Sequence, residues 1–253
     1  SRRQRQMCIR DRISGIRRAM SSIQPVCLIT GASAGIGAAL AHVFAAHGHT
    51  LVLAARRKPQ LDALAAAISA KGYARPHVVA IDLSTADGTG QLAEILAEQG
   101  LEPQYVINNA GFGLLGEAAT LDRERQLAMI DLNVRALTDL SLRFVASVKS
   151  HGGGILNVAS ISAFIPGPGM AVYHATKSYV LSFTEALHYE LAGEGVQVCA
   201  LCPGPVPTEF FNRAGIPHHY LPKLLVRSVS RVARDGYQGL MGKQSVIVPG
   251  KSM

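Results

Sequence analysis

The sequence predicts an α/β protein: a doubly wound, seven-stranded parallel sheet with helices on both faces. Two observations carry that prediction. From Val26 onward short apolar runs alternate with stretches of helical periodicity, and the first apolar run, VCLIT, feeds a glycine-rich turn that opens a helix. No low-complexity linker and no short fixed repeat interrupts the series, so residues 20–253 are expected to form one dinucleotide-binding domain. At 253 residues and 48% hydrophobic, the chain can fill the large core that such a domain needs.

Taken in order, strands are predicted near 26–30, 50–55, 77–81, 104–108, 154–159, 196–201 and 245–248. Helices are predicted near 36–47, 59–70, 87–99, 122–149, 172–192 and 223–240. Ahead of them, residues 1–19 carry seven arginines against Asp11, a net +6 of the chain's +8. The remaining +2 makes no case for a nucleic-acid partner. Gln6–Arg12, QMCIRDR, resembles the translation of a transposon-end sequencing adaptor. The tail is therefore expected to be artefactual or disordered, with Met20 the natural start. No run of 18 apolar residues is present to span a membrane. Cys27, Cys199 and Cys202 sit in strand-like runs and are expected as buried, reduced thiols of a cytoplasmic protein.

After the first strand, Gly31-Ala32-Ser33-Ala34-Gly35-Ile36-Gly37 leads into a helix. Glycines at that junction let the backbone approach a pyrophosphate, and the helix N-terminus offers free N–H groups to it; the plainer alternative is a tight turn. The second strand ends in Arg56-Arg57, where NAD-selective folds place an acid for the ribose 2′-hydroxyl. Two guanidiniums there favour NADP(H) over NAD(H), unless they are solvated loop charges; Arg56 is the better candidate. Asp82 and Leu83 follow the third strand, where Asp82 either meets an adenine or caps the next helix. Asn108-Asn109-Ala110-Gly111 closes the fourth strand, tying strand ends together or only making a turn. Asn133 interrupts the helix MIDLNVRALTDL and marks a local break.

Tyr173 and Lys177 are four residues apart and project from one helix face. A phenol working near pH 7 needs its pKa of about 10 lowered by roughly three units, about 4 kcal/mol. One ammonium about 4 Å away supplies that at an effective dielectric near 20. The pair is thus a candidate acid, or else two ordinary residues of an amphipathic helix.

Together these motifs resemble the short-chain dehydrogenase/reductase family. The resemblance rests on TGASAGIG at 30–37, NNAG at 108–111, Asn133, Ser160 thirteen residues before Tyr173, Lys177, and CPGPVPT at 202–208. It implies a Rossmann-type sheet and hydride transfer between NAD(P) and an alcohol or carbonyl, with Asn133, Ser160, Tyr173 and Lys177 as the catalytic set. Tyr173 would donate the proton, Ser160 a hydrogen bond, and Lys177 would acidify the phenol and grip the ribose. Asn133, through its helix break, would hold a water that passes protons from solvent to Lys177. Ser162 is a rival of Ser160 with the wrong spacing.

The cofactor is expected to touch Gly31, Ser33, Gly35, Ile36, Gly37, Arg56, Arg57, Asp82, Leu83, Asn109, Ala110, Gly111, Tyr173 and Lys177, with Pro203, Gly204, Val206 and Thr208 at its nicotinamide end. The nearest likeness within the family is to bacterial NADP-dependent reductases of unassigned specificity. In the family the helices near 122–149 and 172–192 commonly pair across a two-fold axis, which implies a homodimer or homotetramer. Relatives often continue past the last strand, so a truncated C-terminus is also an expectation.

A lid over the substrate is expected near 206–222, carrying Phe210, Phe211, His218, His219 and Tyr220, with Phe112, Leu114, Phe164, Ile165 and Met170 adding an apolar wall, which points to an apolar ketone or aldehyde. His218-His219 lacks a third ligand, and no metal is expected. The alternatives are a non-catalytic NADP sensor, which has no need of Ser160, Tyr173 and Lys177 together, and an epimerase on the same fold.

Overall fold

The structure, a computed structural model, describes residues 23–216 and 226–250. The tail and its suspected start at Met20, the His218-His219 pair and residues 251–253 lie outside the described residues. So does the second half of the expected lid, from residue 217.

Seven strands form one parallel sheet in the order β3-β2-β1-β4-β5-β6-β7. The left half runs β1 (Gln24–Thr30), α1 (Gly35–Ala46), β2 (Leu51–Ala55), α2 (Lys58–Ser69), β3 (His77–Ala80), α3 (Gly88–Glu98). The right half runs β4 (Leu101–Asn108), α4 (Arg123–Ile130), α5 (Leu137–Ser150), β5 (Gly154–Val158), α6 (Ala171–Leu191), β6 (Gln197–Leu201), α7 (Glu209–Ala214), α8 (Val229–Met241) and β7 (Val246–Ile247). Strands covered on both faces bury every position, which is why β5 reads as GILNV and the end of β1 as VCLIT without polar alternation. One face of the sheet buries Phe44 and Leu40 of α1 with Leu61 of α2 and Val232 of α8. The other buries Leu92 of α3, Phe144 of α5 and Leu187 of α6.

Strand order reverses between β1 and β4, and at such a switch point the loops leaving the two strands part to open a crevice. The glycine turn leaves β1 there and Asn108–Gly111 ends β4 there. The topology alone therefore brings the two motifs together.

Three elements differ from expectation. The long helix near 122–149 is two helices joined by a π-helical stretch, Asp131–Ala136, with Asn133 inside it. A π turn carries one extra residue, and it bulges the helix toward the crevice. The last helix starts at Val229, where the Ser228 hydroxyl accepts from the Arg231 N–H at 3.2 Å, rather than near 223. The lid contains a short helix, α7, started by the Thr208 hydroxyl and ended at Gly215 with φ 75°. Among the described residues, no helix is long and apolar enough to cross a membrane.

Candidate active site

A cleft of about 1010 Å³ runs along the carboxyl ends of the strands. Its left wall is the glycine turn. Gly31 and Gly35 hold φ of 64° and 57°, a region open mainly to glycine. A Cβ on Gly31 would lie 2.8 Å from both Ala110 Cα and Asn109 Nδ2, so the residue also permits a close approach of the two loops. Asn109 Nδ2 uses that closeness, donating to Thr30 O at 2.9 Å and Gly31 O at 3.2 Å. Thr30 Oγ1 accepts in turn from the N–H groups of Asn109 and Ala110. Beside it Asn108 Nδ2 donates to Ser141 Oγ at 3.0 Å and Asn157 Oδ1 at 2.9 Å, linking β4, α5 and β5.

Helix α1 begins at the cleft with no side-chain cap and no acid in its first turn, so its N–H groups and positive dipole end face the cavity uncompensated. A dinucleotide diphosphate fits this cradle. Arg56 and Arg57 line the same cleft. Arg56 is 63% exposed along its side chain and only 3.7 Å from Asp82, a loose ion pair. Asp82 caps no helix; its Oδ1 accepts from the N–H and hydroxyl of Ser84 at 3.0 and 2.6 Å. Burial pushes its carboxyl up, but the Ser84 hydrogen bonds and Arg56 outweigh that and hold it below the usual value.

At the opposite end Ser160, Tyr173 and Lys177 converge on the cleft, each at most 8% exposed. Ser160 follows β5 and its Oγ accepts from the Ser162 N–H at 3.1 Å, so Ser162 supports Ser160 through its backbone. The Ser160 hydroxyl also acts on the Tyr173 phenol, lowering its proton affinity. Asn133 touches neither. Its Nδ2 donates to Phe112 O at 3.0 Å and Thr176 Oγ1 at 3.2 Å, while its Oδ1 accepts from the Phe112 N–H at 3.1 Å. That side chain pins the loop after β4, and the expected helix break around it is the π turn Asp131–Ala136. Pro203, Gly204, Val206 and Thr208 line the cleft as expected, and Leu83, Ser33, Ile36 and Gly111 do so too. Gly37 is buried behind them, where a Cβ would strike the Asn109 side chain and Gly31 O.

The electrostatics differ from the acidified phenol expected. Burial pushes Tyr173 up to about 12, only partly offset by Ser160, and brings Lys177 down to about 8. The reason is geometric: Lys177 Nζ donates to Val158 O at 2.7 Å and stands 5.8 Å from the centre of the Tyr173 ring. In this arrangement desolvation outweighs the ammonium.

The apolar wall also differs. Phe112 and Met170 line the cleft, but Leu114 is buried beside Met129 and Tyr173, and Phe164 and Ile165 are exposed outside it. The lid residues Phe210 and Phe211 line it too, with Ile216 beside them. Phe210 stacks at a tilt 5.4 Å from the Tyr173 ring. Thr30 and Thr176, which hold Asn109 and Asn133, were not singled out by the sequence; the threonine that opens TGASAGIG was the available signal for the first.

Residues 25–216 match the short chain dehydrogenase family. The chain is 38% identical over 185 residues to a sulfoacetaldehyde reductase from Chromohalobacter salexigens, covering 72% of each. Among solved structures it resembles a short-chain dehydrogenase from Sphingobium yanoikuyae in complex with NADPH, with a TM-score of 0.82, 36% identity and 90% and 89% of the two chains covered. It also resembles the bulky-bulky ketone specific alcohol dehydrogenase from Comamonas testosteroni, with a TM-score of 0.78, 31% identity and 92% and 88% covered.

Proposed function

The chain belongs to the short-chain dehydrogenase family, whose members are NAD(P)-dependent oxidoreductases acting on CH–OH and C=O groups, and on that premise we propose that it reduces a bulky, apolar ketone or aldehyde with NADPH. The observation that carries the reading is the convergence of the Ser160, Tyr173 and Lys177 polar groups on a cleft that Phe112, Met170 and Phe210 also line. A site of that make-up desolvates an apolar substrate and leaves polar donors for one oxygen atom.

The bound nicotinamide would supply the hydride. As negative charge grows on the carbonyl oxygen, the Ser160 hydroxyl donates a hydrogen bond to it and Tyr173 gives up its proton. The phenolate left behind is stabilised by the Lys177 ammonium. Asn133 acts one step back, holding the Phe112 backbone that forms the wall of the substrate end. A dinucleotide sensor would have no use for these groups together.

NADP(H) is favoured by Arg56 and Arg57 at the end of β2, with no acid in that position. The NADPH held by the Sphingobium relative and the substrate named for the Comamonas relative support the reading. Exposed Arg125, which also lines the cleft, and the sulfoacetaldehyde reductase relative favour a small anionic aldehyde as the second reading. We also propose a homo-oligomer joined through α5 and α6, whose Leu142, Tyr179 and Tyr189 are exposed. A cytoplasmic setting is supported by the three free, buried thiols Cys27, Cys199 and Cys202.

Initial rates on bulky aryl ketones and on sulfoacetaldehyde, each with both coenzymes, test this reading. The expected kcat/KM is at least about tenfold higher for NADPH than NADH, as for a lost bidentate phosphate contact, and higher for the bulky ketones. A preference for NADH, or for the sulfonated aldehyde, overturns the corresponding half.

A further inference from the structure

We propose that Glu209 is a positioning residue for the cofactor: it holds Arg57 across the cleft and yields it to the 2′-phosphate of NADP(H). The inference rests on the reading of Arg56 and Arg57 as phosphate-facing cations. Arg57 follows β2 on the left wall, Glu209 opens α7 on the lid side, and Arg57 Nη1 lies 3.1 Å from Glu209 Oε2. Both residues line the cleft. The other two guanidinium nitrogens are held by the glycine turn, Nη2 donating to Ser33 Oγ at 3.1 Å and to Ser33 O at 3.5 Å, and Nε to Ser33 Oγ at 3.3 Å. Ser33 therefore fixes the guanidinium plane, and Glu209 takes the nitrogen that remains.

The carboxylate has a second partner. Arg213, one turn along α7, brings Nη2 to 2.7 Å from the same Oε2, so Glu209 stays paired when Arg57 turns away. The Arg57–Glu209 pair is itself partly exposed, 30% and 52% along the two side chains, and a pair in that setting adds little to stability. A dianionic phosphate accepts a charge-assisted hydrogen bond from that remaining nitrogen and, with more charge than a carboxylate, is the stronger ligand. Exchange of carboxylate for phosphate therefore runs downhill, and it unties α7 from the β2 wall. Glu209 thus competes with NADP(H) and not with NAD(H), which brings no phosphate to that nitrogen.

Fluorescence titration of the full chain with NADPH and with NADH tests this in wild type, Glu209→Gln, Arg57→Ala and the double variant. Glu209→Gln is expected to tighten NADPH about three- to fivefold and NADH less than about twofold, and to have no effect in the Arg57→Ala background. Glu209→Asp, which keeps the charge but shortens the reach, should shift NADPH in the same direction and serves if the glutamine variant does not fold. Unchanged or weaker NADPH binding in Glu209→Gln, or equal shifts for both coenzymes, while Arg57→Ala still weakens NADPH selectively, overturns the proposal alone. Equal losses for both coenzymes in Arg57→Ala overturn the phosphate reading itself and the proposal with it.

Discussion

Tyr173→Phe is expected to lower kcat by about a thousandfold while leaving the NADPH dissociation constant within about twofold of wild type, because a general acid contributes about 10²- to 10⁴-fold and the ring is retained. The change removes one oxygen. The ring keeps its contact with Phe210 and its place on the cleft wall, so the substrate end holds its shape. What is lost is the proton. Among the described residues no other phenol lines the cleft. A variant that keeps more than about a tenth of wild-type turnover, with NADPH bound normally, would remove Tyr173 from the chemistry; a loss of that kind is too small for the proton donor.

Lys177→Met is expected to abolish turnover and at the same time make the fold more stable near pH 7. Lys177 is 6% exposed and its ammonium is brought down to about 8 by burial, against 10.5 unperturbed. Because the folded value lies below the unfolded one, the unfolded chain binds more protons between pH 8 and 10.5, and wild-type stability rises with pH across that window. Below about pH 8 the whole penalty stands, at most about 3 kcal/mol. Methionine removes it but leaves Val158 O without the 2.7 Å hydrogen bond, a loss of about 1 kcal/mol. The net gain is about 1–2 kcal/mol, roughly 3–6 °C in Tm for a domain of this size. It should fade as pH rises from 8 toward 10.5. Calorimetry at pH 7 and pH 10 reads it; a destabilised variant at pH 7, or a gain larger at pH 10, contradicts the burial account. An enzyme that retains a destabilising buried cation does so where function needs the charge.

Much of this architecture is legible in the chain because it depends on local pattern. Buried parallel strands need continuous apolar runs, so β1, β2, β5 and β6 stand out. The glycine turn shows because positive φ at Gly31 and Gly35 admits little else. Asn133 shows as a break in helical pattern, though the sequence could not say that the break is a π turn, since that depends on the Phe112 backbone it must reach. Ser160, Tyr173 and Lys177 are found by spacing, but their proton affinities are not. An ammonium acidifies a phenol four residues away only where its attraction exceeds the cost of burying the phenolate, and here burial of both groups decides the sign.

The apolar wall was the least legible part. Leu114, Phe164 and Ile165 are as hydrophobic as Phe210 and Phe211, and only the paths of the chain after β4 and between β5 and α6 send the first set into packing or solvent. The pairing of Arg57 with Glu209 joins two loops more than a hundred residues apart, and no local pattern announces it.

The most direct test follows deuterium. With NADPH carrying deuterium at the transferable position of the nicotinamide, a single turnover on a bulky aryl ketone is expected to give the secondary alcohol with one deuterium on the carbinol carbon, detected by mass spectrometry. Stoichiometric NADPH binding with the ketone recovered unreduced and the label still on the cofactor would contradict the assignment of this cleft to carbonyl reduction.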